Sequence, residues 1–498
     1  MGQPDVLFTA FLSTPAIAAG LAGALVVSPS LPSVSIATIT EALSRPAVVA
    51  GVPAPGVDTG IPQPFIGPDP VGGGSSLDTI ARLDGVALLD QLVRLSSHER
   101  DEFLQQHPEA IVGLTEAPPA AAAVAGWWTR TSGTARAGLT ADLPGVVGNL
   151  EGLPYTVRDV ANRAFLAATV FAIRAQLDGG VGRAMEDELR ARLRMLSSVE
   201  EALRTGASGA GRTLVSLDVT GQGRAVVAVG DLAVADYVTF FVPGMYVGVS
   251  EQLVDWTGNA ETSLLEQQKW LDRLGLGGEA ATVAWIGYHT PTIVNISSFD
   301  LAYQGRDALT WSLEGLDAVR GGGLPAPTVS VADGSTSAKP AADAGADDAG
   351  DVAGPGPGRP FVSIVAHSYG STAAMLALQE NDVTVDALVL VGSPGSPATS
   401  VDDLKVTGGN VWVAAADSDP IPRSGVFGSQ PLDADFGAHR FSVKGMSDPI
   451  TGEPLAEISG HVYYFWPGTT SVRNTALIAI GQGALVATDA GLAKSVSR

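Results

Sequence analysis

The sequence predicts an α/β protein whose mostly parallel sheet is preceded by a helical N-terminal region. Two observations carry this prediction. From about Gly206 onward, near-continuously apolar runs such as Tyr237–Val242 and Phe361–Val365 alternate with helical patterns. This alternation is typical of a parallel sheet that is covered by helices on both faces. Before Gly206, in contrast, apolar residues recur with a helical period.

Composition divides the chain into three parts. Residues 1–76 form an apolar and then Pro/Gly-rich arm, residues 77–205 the helical region, and residues 206–498 the α/β domain. A low-complexity insertion at 325–358 interrupts the α/β domain and contains almost no large side chains. Because it lacks the apolar area that would offset the entropy of ordering, we expect a mobile surface loop.

The helical region contains two further patterns, an amphipathic stretch and a pair of similar segments. The stretch at 77–95 reads as an amphipathic helix with Leu77, Leu83 and Leu92 near one face. Two similar stretches, 92–114 and 127–150, each contain a helix, a proline at the corresponding place and a closing Val-Gly. They predict a degenerate two-copy repeat.

Composition also excludes several function classes. A formal charge of −23 argues against nucleic-acid binding, since no basic rows could neutralise phosphates. The absence of cysteine removes disulfides, zinc-thiolate sites and a cysteine nucleophile. No metal ion or cofactor is expected from the motifs.

The N-terminus leaves two interpretations open. Residues 6–27 are apolar over a length that could span a membrane. No Lys or Arg precedes them and Pro15 interrupts them, which favours a buried structural segment over an export or membrane segment. A cytoplasmic location is the default expectation, with the cell envelope or non-standard secretion as alternatives.

Ser368 is the candidate nucleophile. The sequence around it, FVSIVAHSYGSTAAM (Phe361–Met375), has an apolar strand before the serine and an alanine-rich helix after it. This order is typical of a nucleophile elbow, in which a serine is held at a sharp strand-to-helix turn. The alternative is a plain helix N-cap formed by Ser368 or Ser371.

The remaining groups of a Ser-His-Asp triad are sought after the serine, the acid in a loop after a later strand and the histidine near the C-terminus. The loop DSDPIPRSG offers Asp419, which we favour because the following Pro-Ile-Pro turns the chain, with Asp417 as the alternative. Of the six histidines, His461 lies in a Gly-led loop before the last helix, whereas His439 is expected at the start of a strand.

Each predicted group has a role that follows from its chemistry. Neutral His461 would take the proton of Ser368 as attack begins, and Asp419 would fix its tautomer. The oxyanion that develops needs backbone donors, for which we predict the N–H groups of Tyr369 and Met245. Gly244 would allow the backbone to approach closely.

Several of these motifs resemble those of a large actinobacterial family of α/β-hydrolase-like proteins of unestablished function. The elbow of that family is G-H-S-Y-G-S, where this chain has Ala366 in the first position. The resemblance covers about residues 127–480 and rests on the following segments: Trp127–Leu166, the elbow, Gly392–Gly395, Asp419-Pro420, Phe436–Ala438, and His461 with Tyr463 or Tyr464. It implies an α/β-hydrolase fold with an intact triad, and it supplies no substrate.

The sequence supports two functions. The first is a serine esterase or lipase-like hydrolase acting on a small-molecule or lipid-like acyl substrate, with transfer to an alcohol as a variant. Its substrate pocket is predicted to include four aromatic residues, Tyr246, Trp285, Tyr288 and Trp466. The alternative is a non-catalytic interaction or assembly protein on a hydrolase scaffold, which the long N-terminal region favours.

Overall fold

The computed structural model describes residues 76–292, 295–296, 298–321 and 358–493. The arm predicted at 1–76 and the insertion predicted at 325–358 therefore lie outside the described residues, except for Ser76 and Gly358. The N-terminal part of the described chain is helical, as predicted. Its helices are α1 (Ser76–Ile80), α2 (Gly85–Arg94), α3 (Ser97–Gln106), α4 (Pro108–Glu116), α5 (Ala121–Arg130), α6 (Gly133–Asp142), α7 (Pro144–Val147), α8 (Tyr155–Asp178) and α9 (Arg183–Ala202).

The stretch 77–95 differs from its prediction, because α1 and α2 are separate helices. The chain turns before Gly85, which has a φ of 50° that disfavours other residues. Leu83 lies in this turn and is exposed, whereas Leu77 and Leu92 are buried. The prediction for Leu83 was wrong because the helical period does not continue across the turn.

The predicted two-copy repeat corresponds to a repeated order of helices. Helices α5 and α6 begin at 121 and 133, each 36 residues after α2 and α3, which begin at 85 and 97. Ser96 and Ser132 cap α3 and α6 through their hydroxyl groups, which accept N–H bonds three residues on. Pro108 and Pro144 then begin α4 and α7, where a missing N–H costs nothing.

The α/β domain is built on an eight-stranded sheet in the order β1-β2-β4-β3-β5-β6-β7-β8. β1 and β4 each pair with β2 in antiparallel fashion, and the other pairings are parallel. The strands are β1 (Arg212–Asp218), β2 (Arg224–Val229), β3 (Tyr237–Val242), β4 (Ala280–Ile286), β5 (Phe361–His367), β6 (Ala387–Val391), β7 (Val411–Ala414) and β8 (His439–Arg440). Short hairpins follow, formed by β9 (Met446–Ser447) with β10 (Pro454–Leu455) and by β11 (Ala487–Thr488) with β12 (Gly491–Leu492).

Helices cover both faces of the sheet, and successive strand residues belong to different hydrophobic cores. Phe241 and Val365 pack in the core that contains α10 (Val249–Leu274) and α13 (Thr470–Ala479). Phe240 and Ile364 pack in the core on the other face, with α11 (Asp300–Arg320) and α12 (Tyr369–Glu380). Burial on both faces explains why the central strands are apolar throughout.

The helical region covers the edge strand β1. Asn149 accepts the N–H of Leu217 at 3.0 Å and donates to its carbonyl at 2.9 Å. On α8, Asp159 accepts the N–H of Leu214 at 2.7 Å, and Asn162 donates to the Leu214 carbonyl at 3.0 Å. These side chains satisfy backbone groups that an edge strand leaves unpaired. The region Trp127–Leu166 thus packs on the α/β domain through polar anchors.

Candidate active site

Ser368 stands at the turn between β5 and α12. Its backbone has φ 53° and ψ −131°, a strained conformation for a residue with a side chain. Its N–H donates to the Val391 carbonyl of β6 at 3.0 Å, which ties the turn to the sheet. The Ser368 side chain makes no capping bond to α12, so the alternative of a plain helix N-cap is not observed. A strained residue between a strand and a helix is what the nucleophile-elbow prediction requires.

Two glycines let the backbone pack closely around Ser368. A Cβ at Gly370 would lie 2.3 Å from the Pro243 carbonyl oxygen, so a side chain there would push α12 away from β3. A Cβ at Gly244 would lie 2.6 Å from the Cβ of Ser368. Ala366, which replaces the first glycine of the related motif, is fully buried within β5. The loop after β3 and the start of α12 therefore meet at Ser368.

The structure brings Ser368, His461 and Asp419 together. The Ser368 Oγ lies 2.7 Å from His461 Nε2, and His461 Nδ1 lies 2.9 Å from Asp419 Oδ2. All three side chains are buried. Because a carboxylate can only accept, Nδ1 carries the hydrogen, which leaves Nε2 free to accept the hydroxyl proton of Ser368. Residues from three separate loops thus form one hydrogen-bonded chain.

The environment of Asp419 keeps its carboxylate ionised. Burial alone would raise its pKa, but hydrogen bonds from His461, from the Tyr464 hydroxyl at 2.6 Å and from the Ile421 N–H at 3.0 Å outweigh burial, so the pKa lies below its ordinary value. Burial and the charge of Asp419 raise the pKa of Tyr464, so this hydroxyl stays a donor. Only the family resemblance pointed to a tyrosine near the proposed triad, and it did not decide between Tyr463 and Tyr464.

His367, the residue before Ser368, lies against His461. Its Nε2 donates to the main-chain carbonyl of His461 at 2.6 Å, and the two ring centroids are 4.7 Å apart. Burial, followed by the proximity of His461, lowers the pKa of His367 to about 3. The neutral ring therefore supports the His461 loop without adding a competing positive charge. Local sequence gives no signal for this contact, because His367 and His461 lie in segments far apart in the chain.

Gly392 makes room for the histidine and the acid. A Cβ there would lie 3.0 Å from His461 Cε1 and 3.1 Å from Asp419 Oδ2. Its φ of 62° also favours glycine. The residue opens the Gly-Ser-Pro-Gly segment directly after β6, so that segment shapes the site without contributing a reactive group.

The alternative candidates lie elsewhere. The Asp417 side chain is 72% exposed, and its Oδ2 is 3.7 Å from Lys444 Nζ. His439 begins β8, and its ring packs on Trp412 with centroids 5.0 Å apart. Neither residue is a member of the hydrogen-bonded chain that joins Ser368, His461 and Asp419.

The predicted aromatic pocket is only partly compatible with the structure. Trp285 and Tyr288 are fully buried, and the Tyr288 hydroxyl donates to the Pro243 carbonyl at 2.7 Å. The prediction that these two line an open substrate cleft was therefore wrong, because they belong to the core beside α11 and α12. Tyr246 and Trp466 are about half exposed, at 49% and 58%, and remain candidates for the rim of the cleft.

The described residues contain neither a candidate metal site nor a helix that could span a membrane. Within 76–292, 295–296, 298–321 and 358–493, no three His, Asp or Glu side chains are arranged to hold a metal ion. No helix in this part of the chain is both long and apolar enough to cross a membrane. The apolar stretch at 6–27 lies outside it.

Comparison with known proteins agrees with this architecture. Residues 218–428 match the model of a family described as alpha/beta hydrolase. The uncharacterized proteins Rv2079 and MT2140 of Mycobacterium tuberculosis are each 26% identical over 428 residues, covering 78% of this chain and 60% of their own length. The uncharacterized protein Mb0988c of Mycobacterium bovis is 29% identical over 242 residues, covering 47% of this chain and 78% of its own length. This chain thus spans about 60% of the length of the first two relatives.

These similarities confirm the predicted resemblance and fold class. The chain has the α/β-hydrolase fold, with a mostly parallel sheet and a helical N-terminal region. The three relatives are mycobacterial proteins whose descriptions state no function. The description of the matched family names an alpha/beta hydrolase and no substrate.

Proposed function

We propose that this protein is a serine hydrolase that cleaves an ester or a similar acyl compound. Ser368 is the nucleophile, His461 the general base and Asp419 the group that orients His461. The observation that carries this proposal is the continuous chain of hydrogen bonds from Ser368 Oγ through the imidazole to a buried carboxylate, at 2.7 and 2.9 Å.

The reaction follows from this arrangement. His461 Nε2 accepts the Ser368 proton as Oγ attacks the acyl carbon, and Asp419 stabilises the imidazolium that forms. The imidazolium then donates its proton to the leaving alcohol, which leaves an acyl group on Ser368. A water molecule activated by the same nitrogen releases the acid and restores the serine. An alcohol in place of water would give acyl transfer by the same steps.

Backbone donors beside Ser368 would stabilise the oxyanion. Tyr369 is the first residue of α12, where N–H groups have no partner within the helix. Met245 follows Gly244, whose backbone lies against Ser368. We propose these two N–H groups as the oxyanion hole, each contributing about 3 kcal/mol of barrier reduction, as such donors do in known enzymes.

The surroundings favour an uncharged, partly apolar acyl substrate. Val462 follows the proposed base directly and is 43% exposed, and Tyr246 lies in the proposed oxyanion loop. Trp466 packs edge-on against Tyr463 in the loop that carries His461, with centroids 4.4 Å apart. Apolar side chains at these places would favour contact with an acyl chain or an aromatic leaving group.

A fluorophosphonate probe tests the proposal directly, because it reacts only with an activated serine. We expect labelling of the wild type and hydrolysis of p-nitrophenyl butyrate, with both lost in Ser368→Ala. The matched control is Ser371→Ala, since the Ser371 hydroxyl donates to the Ser368 carbonyl and shares a second hydrogen bond with the Ser393 hydroxyl, so that it is not directed at His461. Labelling of Ser371→Ala should persist.

The same experiment addresses the alternative function. A folded wild-type protein that neither reacts with the probe nor hydrolyses any acyl ester would favour an interaction protein on a hydrolase scaffold. Probe reaction that survives Ser368→Ala would instead place the reactive serine elsewhere and refute the assignment of the nucleophile.

A further inference from the structure

A cavity of about 400 Å³ lies between the helical region and the sheet. Both copies of the helical repeat contribute to one wall, through α3 and α4 and through α6 and α7. Strands β1, β2 and β4 form the floor, and α11 forms the opposite wall. Apolar lining residues include Leu104, Ile111, Val146, Phe165, Val226 and Trp285. Neither the helical region nor the α/β domain encloses this space alone.

Specific side chains fix the shape of the cavity. The Trp285 indole N–H donates to the Ser312 hydroxyl at 3.0 Å, and a Cβ at Gly287 would lie 2.4 Å from the indole ring. A Cβ at Gly145, on the helical side, would lie 3.0 Å from the Phe165 ring. Because glycine has no side chain, each of these aromatic rings keeps its place in the cavity wall. A larger residue at either glycine would displace the ring and change the shape of the cavity.

The walls are also held apart by polar anchors. Asn149 lines the cavity and accepts the Ser216 hydroxyl at 2.8 Å, in addition to its bonds to the β1 backbone. These bonds fix the distance between α7 and the sheet. Protein interiors are close-packed and seldom leave voids much larger than a water molecule. A volume of about 400 Å³ falls instead in the range of small-molecule sites.

The charges that line the cavity indicate the kind of ligand. Asp142 pairs with Arg100 at 2.6 Å, and Asp218 pairs with Arg224 at 2.8 Å. Glu151 is likewise paired with an arginine of α8. Asp101, the fourth lining carboxylate, has no ion pair among the described residues. The three carboxylates whose charge is already compensated offer little to an ionic ligand, and much of the remaining lining is apolar. We propose that this cavity is a second ligand site, apart from Ser368, that binds one uncharged and largely apolar small molecule.

Buried rings separate this site from the nucleophile. The Trp285 ring stacks on Tyr288 with centroids 5.8 Å apart, and Tyr288 stacks on Tyr369 with centroids 6.5 Å apart. Tyr369 directly follows Ser368, which does not line the cavity. The ligand therefore occupies its own site and does not extend from the acyl-binding cleft, so the proposal stands independently of the hydrolase reaction.

The test uses N-phenyl-1-naphthylamine, an uncharged aromatic probe whose fluorescence rises in apolar surroundings, and the full-length protein. We expect saturable binding of one probe per chain. Ala168→Phe and Ala308→Phe place a ring in the cavity from two different walls and should each weaken binding by about tenfold or more. Because the two substitutions lie on different walls, one variant still tests the cavity if the other fails to fold. Folding of each variant is judged from its melting transition.

Two control variants should leave the affinity for the probe unchanged. Ala167→Phe makes the same change on the exposed face of α8 and should leave the affinity within about twofold of the wild type. Tyr246→Ala, at the proposed cleft, should do the same. Non-saturable binding, binding unaffected by either cavity-filling variant, or a loss in Tyr246→Ala equal to theirs would each overturn the proposal.

Discussion

Asp417 and Asp419 lie two residues apart in one loop, so replacing each by asparagine makes a matched pair of substitutions. Asp419 is fully buried, and its carboxylate accepts hydrogen bonds from His461, Tyr464 and Ile421. The Asp417 side chain is 72% exposed, with Lys444 as its partner in a surface ion pair. The chemical change is the same at both positions, and only the contacts differ.

The contacts predict the size of each effect. An asparagine at 419 that keeps its oxygen on the Ile421 N–H places its NH₂ group at the position of Oδ2, the carboxylate oxygen that is nearest to His461 Nδ1 and accepts from Tyr464. The imidazole would then accept at Nδ1 and carry its hydrogen on Nε2, where it could no longer take the Ser368 proton. Loss of the correct tautomer in a Ser-His-Asp triad costs a factor of about 10⁴ in kcat, or about 5 kcal/mol of barrier. An exposed ion pair contributes about 0–1 kcal/mol to stability and nothing to the tautomer.

The assay is the kcat for p-nitrophenyl butyrate, measured with the melting temperature of each variant. We expect a decrease of about 10⁴-fold for Asp419→Asn and a change within about twofold for Asp417→Asn, with both proteins folded. Similar losses in the two variants, or a larger loss in Asp417→Asn, would refute the assignment of the acid. An Asp419→Asn variant of nearly full activity would show that His461 needs no carboxylate to hold its tautomer.

Three further predictions concern stability. Because burial lowers the pKa of His367 to about 3, unfolding takes up a proton below the ordinary pKa of 6.5. The contribution of His367 to the free energy of unfolding is therefore complete above pH 6.5 and decreases by about 1.4 kcal/mol per pH unit as the pH falls toward 3. His367→Gln should reduce this pH dependence, as measured by urea unfolding between pH 3 and 6.5. Asn162→Ala should lower the free energy of unfolding by about 1–3 kcal/mol, because it leaves the buried Leu214 carbonyl without its donor; an unchanged urea midpoint would contradict the anchoring of β1. Replacing 322–357 by a short Gly/Ser linker should change the free energy of unfolding by less than about 1 kcal/mol and leave kcat intact. The ends of the segment lie close together, because a Cβ at Gly358 would be 3.9 Å from the Arg320 carbonyl. Loss of turnover in a folded deletion variant would assign the segment a role in the reaction.

Much of the candidate site follows from local pattern and chain order. The apolar run before Ser368 and the small residues after it specify a strand and a helix joined by a tight turn. Asp419 and His461 were favoured over Asp417 and His439 because of the loops in which they occur, and the structure brings the favoured pair to Ser368. In a parallel sheet the carboxyl ends of the strands share one edge, so chain order alone indicates which loops meet.

The sequence by itself therefore determined the fold class and the helical N-terminal region, and it favoured Asp419 and His461 as partners of Ser368, because these features depend on periodicity and on the order of elements. Only the tertiary structure decided that Trp285 and Tyr288 are buried, that Tyr464 rather than Tyr463 contacts Asp419, and that Gly392 leaves room for His461. It also placed His367 beneath the His461 loop and opened a cavity where the helical repeat meets the sheet. These features depend on which side chains meet across segments far apart in the sequence. Such contacts depend on how whole helices and strands pack together, and they cannot be predicted from residue type and local spacing.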